Sequence, residues 1–306
     1  MRSSAGLQFN EPLCRHTRIG IGGPAALLAR AHTPVDVRDA VTLCREKGWP
    51  LMMLGRGSNL LVPDEGFQGC MLKLAGDLSE IVIDTRNGIV KAGGGASLMG
   101  LGLLLARQGY PGCTYMGVIP GSVGGAVRMN AGIAGAQAIE KNFLRALALD
   151  PATGEIVTLE KNELGFGYRT SCLAACPLII LEAVFRLPQE TVPAQETLRD
   201  LQALLRKRHG AQPRCYRTFG STFKNPPGPL RPAGWYLEQV GMQGMRINRA
   251  MVAREHANWI LNTGGATSAA VAELMRIGRT RVFEQFGVHL AEEVVVVPPS
   301  APAMPN

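Results

Sequence analysis

Several short blocks of this chain combine side chains and backbone features that could do chemistry. Val118 to Gly132 reads V-I-P-G-S-V-G-G-A-V-R-M-N-A-G. Its closely spaced glycines let the backbone pass near a ligand and take φ > 0 cheaply, and successive N–H groups in such turns make concave anion sites. Gly55-Arg56-Gly57-Ser58-Asn59-Leu60 is a second glycine loop, entered from the apolar run Leu51–Leu54. Either loop is equally a tight connection between packed elements. Tyr168-Arg169-Thr170-Ser171 offers a planar guanidinium able to grip a carboxylate, or simply a surface pair. Gly220-Ser221-Thr222-Phe223-Lys224-Asn225-Pro226 sets a hydroxyl near a cation, which suits proton donation, and reads otherwise as a polar turn. Glu292 and Glu293 precede Val294–Val297, so alternation turns one of them inward, as an ion-paired acid or as part of a site. His256, in R-E-H-A-N-W, fits a packed core histidine or a ligand contact.

Periodicity predicts the elements that carry these blocks. Thr33 and Pro34 open a helix with Val37, Ala40, Val41 and Cys44 on one face, and Gly48 stops it. Ile81–Ile83 and Ile89–Ala92 flank Asn87-Gly88 as a hairpin, and Arg145–Leu149 and Glu155–Leu159 flank D-P-A-T-G as another. Leu98–Gln108 is helical, with Gly109 as its C-cap, and leads into the glycine stretch. Leu178–Leu187 reads as a strand and Pro188–Pro193 as a linker. Beyond it come a helix to about Arg208, a loop over 214–232, helices over Ala233–Val240 and Ser268–Phe286, and a terminal strand Leu290–Val297. Hairpins mixed with helices indicate an α+β fold rather than a regular βαβ series. No G-x-G-x-x-G follows a strand, so a Rossmann site is not supported, and no G-x-S-x-G elbow marks a hydrolase.

The totals narrow the function classes. A chain of 306 residues suggests about two domains, and 46% hydrophobic with 18% charged residues describes an ordinary globular protein. The net charge of +8 is local in origin: Leu201 to His256 holds ten Lys/Arg against Glu238 and Glu255. No basic tract alternates with aromatics, which argues against nucleic acid and for a phosphate-bearing small molecule. Seven cysteines are odd in number and mostly scattered, and Cys172 and Cys176 have no histidine near them to complete a metal set, so no metal is expected. M-R-S-S-A-G carries no apolar run, and Gln108–Val127, though uncharged, contains two prolines and six glycines. A cytoplasmic, non-membrane protein is expected.

Taken in order, the blocks resemble the UDP-N-acetylenolpyruvoylglucosamine reductase family, flavoenzymes that make UDP-N-acetylmuramate for bacterial cell walls. The resemblance runs from about Thr17 to Val297. It rests on I-G-G-P-A-like residues at 21–25, L-G-R-G-S-N-L-L-V at 54–62, I-P-G-S-V-G-G-A-V-R-M-N-A-G at 119–132, F-G-Y-R-T-S at 166–171, G-S-T-F-K-N-P at 220–226, A-G-W-Y-L-E at 233–238 with H-A-N-W at 256–259, and E-V at 293–294.

The resemblance implies an FAD-binding domain of the vanillyl-alcohol-oxidase type over 17–188, in two α+β parts (about 17–70 and 71–188). A smaller α+β substrate-binding domain over 194–298 follows, with tails at 1–16 and 299–306. It implies FAD held by Leu54, Gly55, Arg56, Gly57, Ser58, Asn59 and Leu60 together with Pro120, Gly121, Ser122, Gly124, Gly125 and Asn130. The first loop lacks a histidine, so attachment is expected to be non-covalent. NADPH would supply hydride, and the enolpyruvyl ether would accept it at the methylene carbon. Arg169 would hold the substrate carboxylate, Ser221 would donate the proton and Glu293 would assist, with Tyr168, Lys224, Asn225 and His256 contacting the UDP-sugar. A monomer is expected. Gly20 and Val295 stand where the family carries basic residues, and the short segment after Y-R-T-S resembles the form without an extra tyrosine loop. A flavin oxidase acting on an alcohol or hydroxy acid, or a nucleotide-binding protein without catalysis, would share the glycine loops but does not require Arg169, Ser221 and Glu293 together.

Overall fold

The computed structural model describes residues 6–133, 137–213, 215–228 and 230–298. The expected tail at 299–306 lies outside them. Strand β1 (Gln8–Pro12) pairs antiparallel with β2 (Pro24–Ala31), so the segment expected as an N-terminal tail is part of the first sheet; Leu13, just after it, is fully buried. Helix α1 (Pro34–Lys47) begins with a capping box in which the Thr33 hydroxyl accepts from the Asp36 N–H and Asp36 accepts from the Thr33 N–H. It ends at Gly48, whose φ of 62° is the left-handed turn that glycine takes without a steric cost. β3 (Leu51–Met53), β4 (Leu60–Leu61) and β5 (Phe67–Leu74) follow, and the first sheet has the order β1-β2-β5-β3 with β2, β5 and β3 parallel. The expected division near residue 70 therefore falls inside β5, and the first unit extends to Leu74. α1 covers one face of this sheet, where Val37, Val41 and Cys44 pack on Leu27, Ala29, Cys70 and Leu72. Cys44 and Cys70, 26 positions apart in sequence, are both fully buried in this cluster.

The second unit is a five-stranded sheet. β6 (Ile81–Asp84) and β7 (Ile89–Gly93) form the Asn87-Gly88 hairpin, and α2 (Leu98–Arg107) starts at Ser97, whose hydroxyl accepts from the Gly100 N–H. α3 (Val123–Arg128) is a short helix inside the stretch first read as loop. Two-residue strands β8 (Gly132–Ile133) and β9 (Gln137–Ala138) pair, and β10 (Phe143–Leu149), β11 (Ile156–Glu160) and β12 (Ile179–Arg186) complete the order β11-β10-β12-β7-β6. Tyr115, Phe143 and Phe185 are buried within this unit's core, each contributing about 2 kcal/mol or more of apolar burial.

α4 (Ala194–Ala211) runs three residues past the expected end and packs on α2. The last unit contains α5 (Ala233–Gln239), the sheet β13 (Arg246–Ile247), β14 (Ala250–Val252) and β15 (Ile260–Asn262), and α6 (Ser268–Phe286). Residues 290–297, expected as one strand, contribute only β16 (Val295–Val296), which pairs parallel with β4 of the first unit. The apolar run serves burial on both sides, with Val294 in the C-terminal core and Val297 in the core beneath β5, rather than a long ladder. Among the described residues, no helix is long and apolar enough to cross a membrane.

Candidate active site

The two glycine loops, some sixty residues apart in sequence, are brought into contact. The Ser58 hydroxyl donates to the Pro120 carbonyl at 3.1 Å. A Cβ at Gly55 would lie 2.5 Å from the Ser122 hydroxyl, and one at Gly57 (φ 60°) would lie 2.0 Å from the His16 carbonyl, so both positions require glycine for close approach. Ser122 is also the N-cap of α3, accepting from the Gly125 N–H at 3.3 Å, while the Gly124 N–H is taken by the Gly94 carbonyl at 2.8 Å. Together the loops border a cleft of about 1310 Å³ lined by residues 54–60, Pro120, Gly121, Ser122, Gly124 and Gly125.

Arg169, Ser221 and Glu293 line the same cleft. Arg169 sits at the tip of a turn closed by two hydrogen bonds between Gly167 and Thr170, with φ at 53°, a left-handed conformation uncommon outside glycine. Its Nε donates to Glu293 Oε1 at 2.9 Å and its Nη2 to the Gly132 carbonyl at 2.7 Å. Ser221 lies on an extended segment held on both sides. It bridges to Trp259, Thr222 N–H donates to the Asn258 carbonyl, and the N–H of Glu293 donates to the Thr222 carbonyl at 2.9 Å. The Ser221 hydroxyl has no protein partner among the described residues. Burial pushes the Glu293 carboxyl above the ordinary range, against the opposing pull of Arg169 and Lys224. Glu292 faces away and pairs with Arg279 at 2.6 Å, so the alternation expected for the two acids is what the structure has.

Five of the expected contact residues do not line the cleft. Asn130 is buried, with φ at 41°; its amide donates to the Gly167 carbonyl and its oxygen accepts from the Glu140 N–H, which fixes the turn carrying Arg169. Tyr168 is 54% exposed and stacks on the outside of the Arg169 guanidinium, 5.2 Å from it. Lys224 acts on Glu293 by charge alone. Asn225 caps the start of α5 by accepting from the Ala233 N–H at 3.0 Å. His256 accepts from the Asn258 N–H at 3.2 Å and packs against Gly234 and Trp259, where burial lowers its pKa. Conversely, His16, Lys73, Arg128, Arg208 and Trp259 line the cleft without having been singled out. Arg208, bonded to Gln212 at 2.6 Å, has its pKa pushed down to about 10 by burial and then by the charge of Arg18. Only the local excess of basic residues after 200 pointed toward it.

Residues 25–160 match the family model described as an FAD binding domain, and residues 212–297 match that of the UDP-N-acetylenolpyruvoylglucosamine reductase C-terminal domain. A UDP-N-acetylenolpyruvoylglucosamine reductase of Heliobacterium modesticaldum is 39% identical over 94% of this chain and 89% of its own length. One from Desulforamulus reducens is 37% identical over 95% and 93%. The solved UDP-N-acetylenolpyruvylglucosamine reductase of Thermus caldophilus superposes with a TM-score of 0.78 at 34% identity, covering 96% of this chain and 99% of that one. The chain belongs to the UDP-N-acetylenolpyruvoylglucosamine reductase family. It is an FAD oxidoreductase of the enolpyruvyl sugar nucleotide.

The cleft fits that cofactor. The backbone N–H groups of Gly55, Arg56, Gly57, Ser58, Gly121 and Ser122 donate to no protein acceptor among the described residues, although both loops are tightly held. A row of free amides at a glycine-narrowed cleft, beside a helix start, is the donor set a diphosphate needs. The basic residue that the resemblance leads one to expect at position 20 has a physical counterpart. A Cβ at Gly20 would lie 2.7 Å from the Arg217 guanidinium, which is seated there by the carbonyls of Arg18 and Thr17 at 3.3 Å each. A cation thus occupies that space from another part of the chain.

Proposed function

We propose that Arg169, Ser221 and Glu293 carry the reduction of UDP-N-acetylglucosamine enolpyruvate to UDP-N-acetylmuramate, with NADPH as hydride donor and FAD held non-covalently by the two glycine loops. The observation that carries this reading is the meeting of these three side chains on one cleft with the free amides of both loops. Bound FAD supplies the hydride that reaches the methylene carbon of the enolpyruvyl group. Hydride arrival there places negative charge on the adjacent carbon and its carboxylate, and a proton on that carbon completes the lactyl ether. Arg169 is fixed by Nε and Nη2, and its remaining guanidinium donors are free to hold the substrate carboxylate and stabilise the developing charge. The unpartnered Ser221 hydroxyl donates the proton and recovers it from solvent. Glu293, with a raised pKa, holds Arg169 in place and assists the proton transfer. The chain acts as a cytoplasmic monomer on this small-molecule substrate.

The test is the yellow protein under anaerobic conditions. NADPH bleaches the flavin, and the enolpyruvyl nucleotide restores the colour while buffer does not. Recovery of colour with simple alcohols' ketone products but not with the nucleotide would overturn this reading in favour of another flavin oxidoreductase.

A further inference from the structure

Arg30, Arg56 and Lys73 stand together without an acid beside them. Arg30 on β2 and Lys73 on β5 are register partners in parallel strands, so both side chains leave the same face of the sheet. Alternation fixes that face. Leu27, Ala29, Ala31, Cys70, Leu72 and Leu74 pack on the α1 side, whereas Leu28 and Met71 belong to the opposite core, with which Arg30 and Lys73 are in phase. Lys73 is half-buried and lines the cleft together with Arg56 of the first glycine loop. Among the described residues its ammonium has no hydrogen-bond acceptor, and none of the three cations has a carboxylate within 4.0 Å. Like charges on neighbouring strands are destabilising, and a half-buried ammonium without an acceptor adds to that cost. Burial and the charges of Arg30 and Arg56 accordingly pull the Lys73 pKa down. The site is thus a cationic wall beside the free amides of Gly55 to Ser58, complete only with a multiply charged anion.

We propose that Lys73 and Arg56 hold the diphosphate of the bound dinucleotide together with the glycine-loop amides, with Arg30 reinforcing the charge behind them. The proposal rests on the FAD reading above. A diphosphate could also come from the UDP-sugar. FAD is favoured because Arg56 belongs to the first glycine loop, whereas Ser221 and Glu293, which mark the reacting end, come from the C-terminal unit.

The experiment titrates the full-length chain, freed of flavin, with FAD and separately with riboflavin, which has no phosphate. Wild type is compared with Lys73→Met and Lys73→Arg. The expected result is FAD binding weakened about 10- to 100-fold in K73M, by loss of a charge-assisted contact, and largely kept in K73R. Riboflavin binding is unchanged. The flavin-free K73M chain melts about 1–2 °C higher than wild type, because the like-charge cost is relieved. A purely structural Lys73 would move the melting temperature down and weaken both ligands alike, which overturns the proposal. Unchanged FAD affinity in K73M with a raised KM for the UDP-sugar also overturns it and assigns the two cations to substrate. A wild-type chain that takes up no FAD overturns the flavin reading itself.

Discussion

Ser221→Ala separates the chemistry of this cleft from its architecture. The substitution keeps the Cβ and the bridge to Trp259, and it removes a hydroxyl that bonds no other protein group among the described residues. Folding stability should therefore change by no more than about 0.5 kcal/mol. A general acid positioned at the reacting carbon contributes about 10²- to 10⁴-fold, or roughly 3–5.5 kcal/mol of barrier. The two half-reactions should respond differently, because only the second needs a proton at carbon. In anaerobic stopped flow, bleaching by NADPH should keep its rate within about twofold. Recovery of the flavin absorbance on mixing with the enolpyruvyl nucleotide should slow by about 10²-fold or more. Equal slowing of both phases would make Ser221 a structural residue of the cleft. Recovery at the wild-type rate would remove it from the proton path altogether.

Other perturbations test the supports of the site. Glu293 has its folded pKa raised by burial, so it contributes stability below the ordinary carboxylate range and loses it as pH rises through the folded value. The melting temperature of Glu293→Gln relative to wild type should thus move upward between pH 4 and 7, and a flat or opposite trend would contradict that assignment. Gly57→Ala places a Cβ 2.0 Å from the His16 carbonyl at a φ of 60°, and the purified variant should lose its bound flavin, measured as visible absorbance per protein. Full retention would show that the loop has room to spare. Asp64→Ala removes the acceptor for the Ser268 N–H at 2.9 Å and its hydroxyl at 2.8 Å at the start of α6. It should cost about 1 kcal/mol and lower the melting temperature by about 2 °C in a thermal scan.

Local signals in the sequence were strong wherever a single residue type answers a backbone need. Thr33 with Asp36, Gly48, Asn87-Gly88 and Gly287 mark their helix ends and hairpin because capping and left-handed turns are decided within a few residues. Arg169, Ser221 and Glu293 were each ambiguous by residue type and were joined only by the family resemblance, whereas the structure lines one cleft with all three. Contacts across long separations were not legible. Lys73 was not singled out, since nothing local in F-Q-G-C-M-L-K-L reveals that Arg30 is its neighbour on another strand. Asn130, Asn225 and His256 have protein partners that the sequence did not reveal, for a related reason. Their polar groups are consumed by the Gly167 and Glu140 backbone, the start of α5 and the Asn258 backbone, and spacing in sequence cannot show whether a side chain is already satisfied.

Arg169 and Glu293, two of the residues proposed to react, come from different units, and the seam between those units explains how they are kept together. Glu293 belongs to the C-terminal unit, yet its carbonyl accepts from the Asn59 side chain at 2.9 Å, in the middle of the first glycine loop. Two residues on, Val295 N–H donates to the Asn59 carbonyl at 3.0 Å, and Val297 N–H to the Leu61 carbonyl at 2.9 Å. Asp64 then grips the first turn of α6. These bonds lie within a few residues of one another on both partners, so a shift of the C-terminal unit would break them together. Catalytic groups need placement to within about half an ångström, which isolated side-chain contacts between mobile units do not supply. The two-residue ladder of β16 on β4 is short for a strand, but it lies directly beyond Glu293 on one side and the glycine loop on the other. It therefore fixes Glu293, and through the 2.9 Å ion pair Arg169, to the first glycine loop. Asn59 thus has two assignments at once. Its loop faces the cleft, while its own amide and carbonyl hold the acid that orients the arginine.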